Sequence, residues 1–152
     1  MYLNGKLKIK CEDHMQIALV EYCRKVGEGA ESCFHTPNGG KRGAVEAMRF
    51  KTMGVRPGIP DLLWLKSRHR YKGLAIELKY GDNKQSGDQK IIQEELENER
   101  FFYLASNDLI EMIDCIDWYF GVNTNVEIQA SLSKRKSEKV TSWRNRERKS
   151  FR

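Results

Sequence analysis

Two short apolar runs, one interrupted by an acid and a lysine, constrain this chain more than any other feature. Asp61-Leu62-Leu63-Trp64-Leu65 is nearly continuous in apolar residues, the mark of a strand covered on both faces. Gly73 to Tyr80 instead alternates, with Leu74, Ile76 and Leu78 on one side and Ala75, Glu77 and Lys79 on the other, the period of a pleated strand. The stretch between them is short and polar, so the pair is predicted as an antiparallel hairpin centred near His69. In that register Asp61 stands directly opposite Glu77. Directly opposed residues share a face, with Cα atoms roughly 4.5–5.5 Å apart. A slip of one residue would send Asp61 to the other face.

Two carboxylates so placed repel each other unless a positive charge sits between them. A divalent cation resolves the conflict, and a small number of hard oxygen donors, with water or phosphate in the remaining positions, suits Mg²⁺. An acid, one spacer and a lysine is a weak pattern alone. It occurs here as Glu77/Lys79, Asp82/Lys84, Asp88/Lys90 and Glu147/Lys149. Context separates these cases, because only Glu77 and Lys79 interrupt an apolar strand. The competing reading, a solvent-exposed hairpin face with surface ion pairs, fits poorly with such apolar flanks.

The surrounding sequence supplies the rest of a single α/β domain. Glu12 to Val26 has apolar residues at helical spacing, and Gly27 closes it. Glu31 to His35 is predicted as a short strand. Gly43 to Met53 is predicted as a helix stopped by Gly54. Pro57 and Pro60 fix a loop ahead of the hairpin. Asp88 to Glu99 follows as a helix with Ile91, Ile92 and Leu96 as its apolar side. Phe101 to Ala105 is a third buried strand, and Asn107 to Phe120 a helix with Asn107 or Asp108 as N-cap and Gly121 as stop. A mixed sheet flanked by helices is the economical architecture for this order. No apolar run approaches the ~18–20 residues that cross a bilayer, and the N-terminus lacks a secretory pattern. The expectation is a soluble, cytoplasmic protein with no membrane partner.

Gly58-Ile59-Pro60-Asp61, the hairpin, and then Glu77-Leu78-Lys79 resemble the PD-(D/E)xK nuclease signature. His35-Thr36-Pro37-Asn38-Gly39-Gly40, Gly54-Val55-Arg56-Pro57-Gly58 and Ser86-Gly87-Asp88-Gln89 resemble the VRR-NUC branch of that superfamily. The resemblance runs from about Glu12 to Phe120. It implies a restriction-endonuclease-like fold over residues 1–130 and metal-dependent hydrolysis of DNA phosphodiester bonds. By the same resemblance Asp61 and Glu77 would ligate Mg²⁺ or Mn²⁺ together with the backbone carbonyl of Leu78, and Lys79 would orient the attacking water. Glu12 resembles the family's helical acidic residue and would reach the metal directly or through water, with Glu21 the weaker candidate. Gln89 matches a position that supports the site or the phosphate. Compact stand-alone members of this branch resemble phage or mobile-element enzymes, some of which act as dimers on four-way DNA. That analogy implies a homodimer acting on branched DNA in a bacterial or phage-infected cell.

Charge is unevenly distributed. The last 22 residues carry nine basic side chains against Glu138 and Glu147, a net of +7 within a whole-chain charge of +6, which leaves −1 for everything before Ser131. Such a tail over 131–152 suits a polyanionic partner, with Lys134, Arg135, Lys136, Arg144, Arg146 and Arg148 as nucleic-acid-binding candidates. Trp143 and Phe151 among these cations suit stacking on exposed bases. Alternatively Val140, Trp143 and their neighbours form a helix that docks on the body or on a second subunit. The four cysteines, Cys11, Cys23, Cys33 and Cys115, form no C-x-x-C pair and read as free thiols. His14, His35 and His69 lack ligand spacing, so His35 reads as structural. Asn38-Gly39-Gly40 would either offer bare amides to phosphate or simply make a turn. The rival function is a non-catalytic nucleic-acid-binding module that works through the tail.

Overall fold

The computed structural model describes residues 2–3, 6–7, 9–36, 43–122, 142–143 and 145–146. A two-stranded antiparallel ribbon, β1 (Tyr2–Leu3) and β2 (Lys6–Leu7), precedes helix α1 (Glu12–Val26). A 3-10 turn over Ala30–Ser32 leads into β3 (Phe34–His35), and α2 (Ala44–Thr52) follows. The hairpin strands are β4 (Leu62–Trp64) and β5 (Gly73–Leu78). Helix α3 (Gly87–Asn98), strand β6 (Phe101–Ser106) and helix α4 (Leu109–Phe120) complete the domain.

The main sheet has the order β3-β4-β5-β6, antiparallel except for the parallel β5–β6 pair, which α3 bridges as a crossover. Both sides of β5 are buried along its whole length. Leu74, Ile76 and Leu78 point into a core shared with Met15, Leu19 and Cys23 of α1 and Met112, Ile116 and Tyr119 of α4. The other side of β5 faces α3. Gly73 is required at the start of this strand because a Cβ there would lie 2.3 Å from the Phe101 ring and 2.5 Å from the Trp64 carbonyl oxygen.

The β4–β5 register pairs Leu62 with Ile76, Leu63 with Ala75 and Trp64 with Leu74, as the hairpin reading requires. The tip is held where it was expected to turn. His69, with φ at 56°, stacks on Trp118 at 4.6 Å, and its Nε2 lies 2.8 Å from the Trp118 carbonyl oxygen.

Several expectations are corrected. Glu31 and Ser32 belong to the 3-10 turn, and β3 is only two residues long, because Trp64 Nε1 donates to the Ala30 carbonyl at 2.7 Å and holds that segment in a turn. The run around Leu63 is covered on one side better than the other: Leu62 and Trp64 are fully buried, Leu63 partly, and Leu65 is exposed. On α3 only Ile92 of the predicted apolar side is buried, while Ile91 faces solvent. Helix α2 forms where its periodicity places it, yet none of its residues is buried, and Val45 and Met48 are exposed. The N-terminal ribbon was not expected.

Candidate active site

Three segments distant in sequence deliver the acids. The pleat of β5 turns Glu77 toward α3, where it is 2% exposed. Asp61 lies one residue before β4, and continuing the observed register by one step sets it opposite Glu77. Asp61 Oδ2 accepts a hydrogen bond from the Leu78 backbone N–H at 2.9 Å. Its main chain is pinned from β3: the Asp61 carbonyl accepts from Thr36 N–H at 3.2 Å and lies 3.0 Å from His35 Nδ1. A carbonyl only accepts, so Nδ1 is the protonated nitrogen of that ring. The Thr36 hydroxyl also donates to the Pro60 carbonyl. His35 therefore has the structural role expected of it.

The third acid, Glu12, opens α1. Its Oε1 accepts from the Tyr80 N–H at 3.1 Å and from the Asn83 amide at 3.5 Å. These bonds bring the start of α1 to the end of β5. Glu21, the weaker candidate, is exposed farther along α1.

Lys79 and Gln89 close the group. Lys79 Nζ donates to Glu77 Oε1 at 2.8 Å and to Gln89 Oε1 at 2.9 Å. Gln89 is the third residue of α3 and half of a reciprocal cap: its N–H donates to Ser86 Oγ at 3.2 Å, and its Oε1 accepts from Ser86 N–H at 2.8 Å. With Oε1 occupied by two donors, Nε2 is left to donate to Glu77 Oε1, as it does. The cap thus fixes which way the amide points. Gly58 makes the approach of α3 possible. At φ +82° it faces the α3 backbone so closely that a Cβ would sit 2.5 Å from the Asp88 carbonyl carbon and 2.7 Å from Gln89 N.

Burial, with the negative charges of Asp61 and Glu12 added, pushes the Glu77 carboxyl up to about 7 despite the hydrogen bond from Lys79. Burial also raises Asp61, with Glu12 adding to the effect and the Leu78 N–H opposing it. Tyr103, on β6 facing α3, is likewise raised by burial and then by Glu77. Its hydroxyl accepts from Gln85 Nε2 at 3.4 Å.

Crowded carboxylates with raised proton affinity are a site short of positive charge. Glu77 Oε2 is buried and has no hydrogen-bond partner among the described residues. An orphaned, desolvated carboxylate oxygen beside a second carboxylate fits a hard divalent cation. Among the described residues no three His, Cys, Asp or Glu side chains converge into a cage of their own. That donor set is compatible with Mg²⁺, which is bound through one or two carboxylates and keeps several waters.

Sequence reasoning missed Tyr103, Gln85 and Asn83 near this cluster. None carries a local signal, since each arrives through the β5–α3–β6 crossover. Of the six tail cations, Lys134, Arg135, Lys136, Arg144 and Arg148 lie outside the described residues, as do Asn38, Gly39 and Gly40. Arg146 is described, and its guanidinium lies 4.6 Å from the centre of the Phe102 ring. Trp143 is buried against Phe102 and Trp118. At these positions the C-terminal segment packs on the body.

A mixed four-stranded sheet flanked by helices, with Asp61, Glu77 and Lys79 gathered at adjoining strand ends, defines a nuclease-type domain of restriction-endonuclease-like fold. Among solved structures the chain is similar to a VRR_NUC domain protein, at 28% identity and a TM-score of 0.66, over 76% of this chain and 93% of that one. No family model matches the sequence, and no curated protein matches it. That structural similarity supports membership of the VRR-NUC family. No helix among its described residues is long and apolar enough to cross a membrane.

Proposed function

We propose that the chain is a Mg²⁺- or Mn²⁺-dependent endonuclease that hydrolyses DNA phosphodiester bonds, with a preference for branched DNA. The observation that carries the reading is the orphaned Glu77 Oε2, buried opposite Asp61 and next to the Lys79 ammonium. Asp61 and Glu77, with the Leu78 carbonyl, would hold the cation, and Glu12 would reach it directly or through water. When bound, the cation polarises the scissile phosphate and offsets charge on the leaving oxygen.

The chain's own groups do the positioning. Lys79 Nζ, fixed between Glu77 and Gln89, directs an N–H toward the attacking water and favours loss of its proton. Gln89 holds Glu77 Oε1 and Lys79 in one orientation, so neither must reorganise during the reaction. Thr36 and His35 keep the Asp61 backbone in place. One such centre cuts one strand, and two symmetric cuts in a four-way junction take two centres, which supports a homodimer as the acting form.

The test is cleavage of supercoiled plasmid and of single-stranded, duplex, flap and four-way substrates with Mg²⁺ or Mn²⁺. Glu77→Ala and Lys79→Ala are each expected to lower the cleavage rate by at least about 100-fold, since both remove charge placed where the transition state needs it. Activity that survives both substitutions sinks this site. Binding without cutting, across all substrates and metals, replaces the nuclease with a nucleic-acid-binding module.

A further inference from the structure

A second cleft of about 400 Å³ adjoins the acid cluster and shares Lys79 with it. Its walls are the loop after β5, the first turn of α3 and the start of α4, and they include Asn83, Lys84, Lys90, Asn107 and Glu111. Two of its cations are uncommitted among the described residues. Lys72, Lys79 and Arg56 each hold a carboxylate at 2.8 Å. The Lys90 backbone N–H donates to the Ser86 carbonyl at 3.2 Å, but the side chains of Lys84 and Lys90 make neither an ion pair nor a hydrogen bond among the described residues. The one acid in the wall, Glu111, accepts from Ser106 Oγ at 2.6 Å and is tied to the sheet.

We propose that this cleft seats the phosphates flanking the scissile one, and that Lys84 and Lys90 grip them; the assignment of the neighbouring phosphate as scissile rests on the nuclease reading above. Two unpaired ammonium groups beside an open cleft take a phosphodiester without first breaking an internal ion pair. Lys79 lines the cleft and also holds Glu77, so a polymer with one phosphate at the acid cluster brings its next phosphates to the cleft, whereas a free anion would fill only one of the two places. Base edges are not read by such contacts, because backbone phosphates carry no sequence information. The body of the domain thereby has a nucleic-acid grip of its own, separate from the basic tail.

The test is fluorescence anisotropy of the full chain with a fluorescein-labelled four-way junction in EDTA, so that nothing is cut, across a series of salt concentrations. Lys84→Ala/Lys90→Ala is expected to weaken binding about tenfold or more at low salt. It should also lower the salt slope by roughly two, at ~0.9 per phosphate contact. Lys84→Arg/Lys90→Arg should restore both. Unchanged affinity and slope in the alanine pair overturns the cleft, as does failure of the arginine pair to rescue. The two readings fail separately. If plasmid cleavage depends on Glu77 while the slope ignores the lysines, the cleft is wrong and the nuclease stands. If the lysines set the slope in a chain that cuts nothing, the cleft stands and the nuclease falls.

Discussion

Glu77 concentrates the physics of the site in one side chain. Its carboxyl, raised to about 7 by burial and by neighbouring acids, retains in the folded state a proton that the unfolded chain releases near 4.5. The folded state therefore binds more protons between these values, and stability from this group is lost as pH rises through that window. In thermal melts without metal, Glu77→Gln is expected to flatten this loss between about pH 4.5 and 7. A metal ligand must be deprotonated, so stabilisation by added Mg²⁺ should grow as pH rises through about 7. Equal stabilisation by Mg²⁺ at pH 5.5 and 8 would count against the site. Gln89 is expected to show two separable effects. Gln89→Ala loses half of the α3 cap, about 1 kcal/mol, and should slow cleavage more than that stability loss explains, since Lys79 and Glu77 lose their common partner. Asp61, Glu77 and Lys79 were legible as a group because a two-residue period and a hairpin register are local properties. Glu12 was suggested only by resemblance. Its contacts at Tyr80 and Asn83 depend on how α1 crosses the sheet, which no short-range pattern encodes.

At the scale of elements, the hairpin and α3 decide whether these residues meet. Gly58 matters here for its missing side chain. A Cβ would collide with the α3 backbone, and the positive φ adds strain for any L side chain. Gly58→Ala is expected to cost about 2 kcal/mol or more in urea unfolding, and to impair cleavage by pushing the α3 N-terminus, and Gln89 with it, off the site. If stability falls while activity per folded molecule is unchanged, the packing of α3 on this loop does not set the catalytic geometry. The helices were legible to within two residues at their ends because caps and stops act over one turn: Asp108 caps α4 through Ile110 N–H and Glu111 N–H, and Gly121 follows its last turn. Burial was less legible. Helix α2 obeys its local signals with no buried residue, and Ile91 has helical spacing yet points away from the sheet. Which side of a helix meets a neighbour is set by the neighbour.

For the molecule as a whole, the C-terminal segment is where chain order and spatial order part. Trp143 is 3% exposed and joins an aromatic group with Phe102 and Trp118, although some twenty residues separate it from α4. Replacing a buried tryptophan by alanine typically costs about 3–5 kcal/mol. At ~2–4 °C per kcal/mol for a chain near this size, Trp143→Ala is expected to lower the melting temperature by roughly 10 °C. A drop of only a degree or so would mean that the segment is not seated there. The sequence alone determined the strand period, the hairpin register, the helix caps and a net charge concentrated past Ser131, because each is written in residues a few positions apart. Tertiary structure alone decided which lysines lack a partner among the described residues, that Glu77 Oε2 is stranded there without a donor, and that Trp143 belongs to the core. Pairing, desolvation and burial are relations between segments the chain brings together only when it folds, and local spacing holds no record of them.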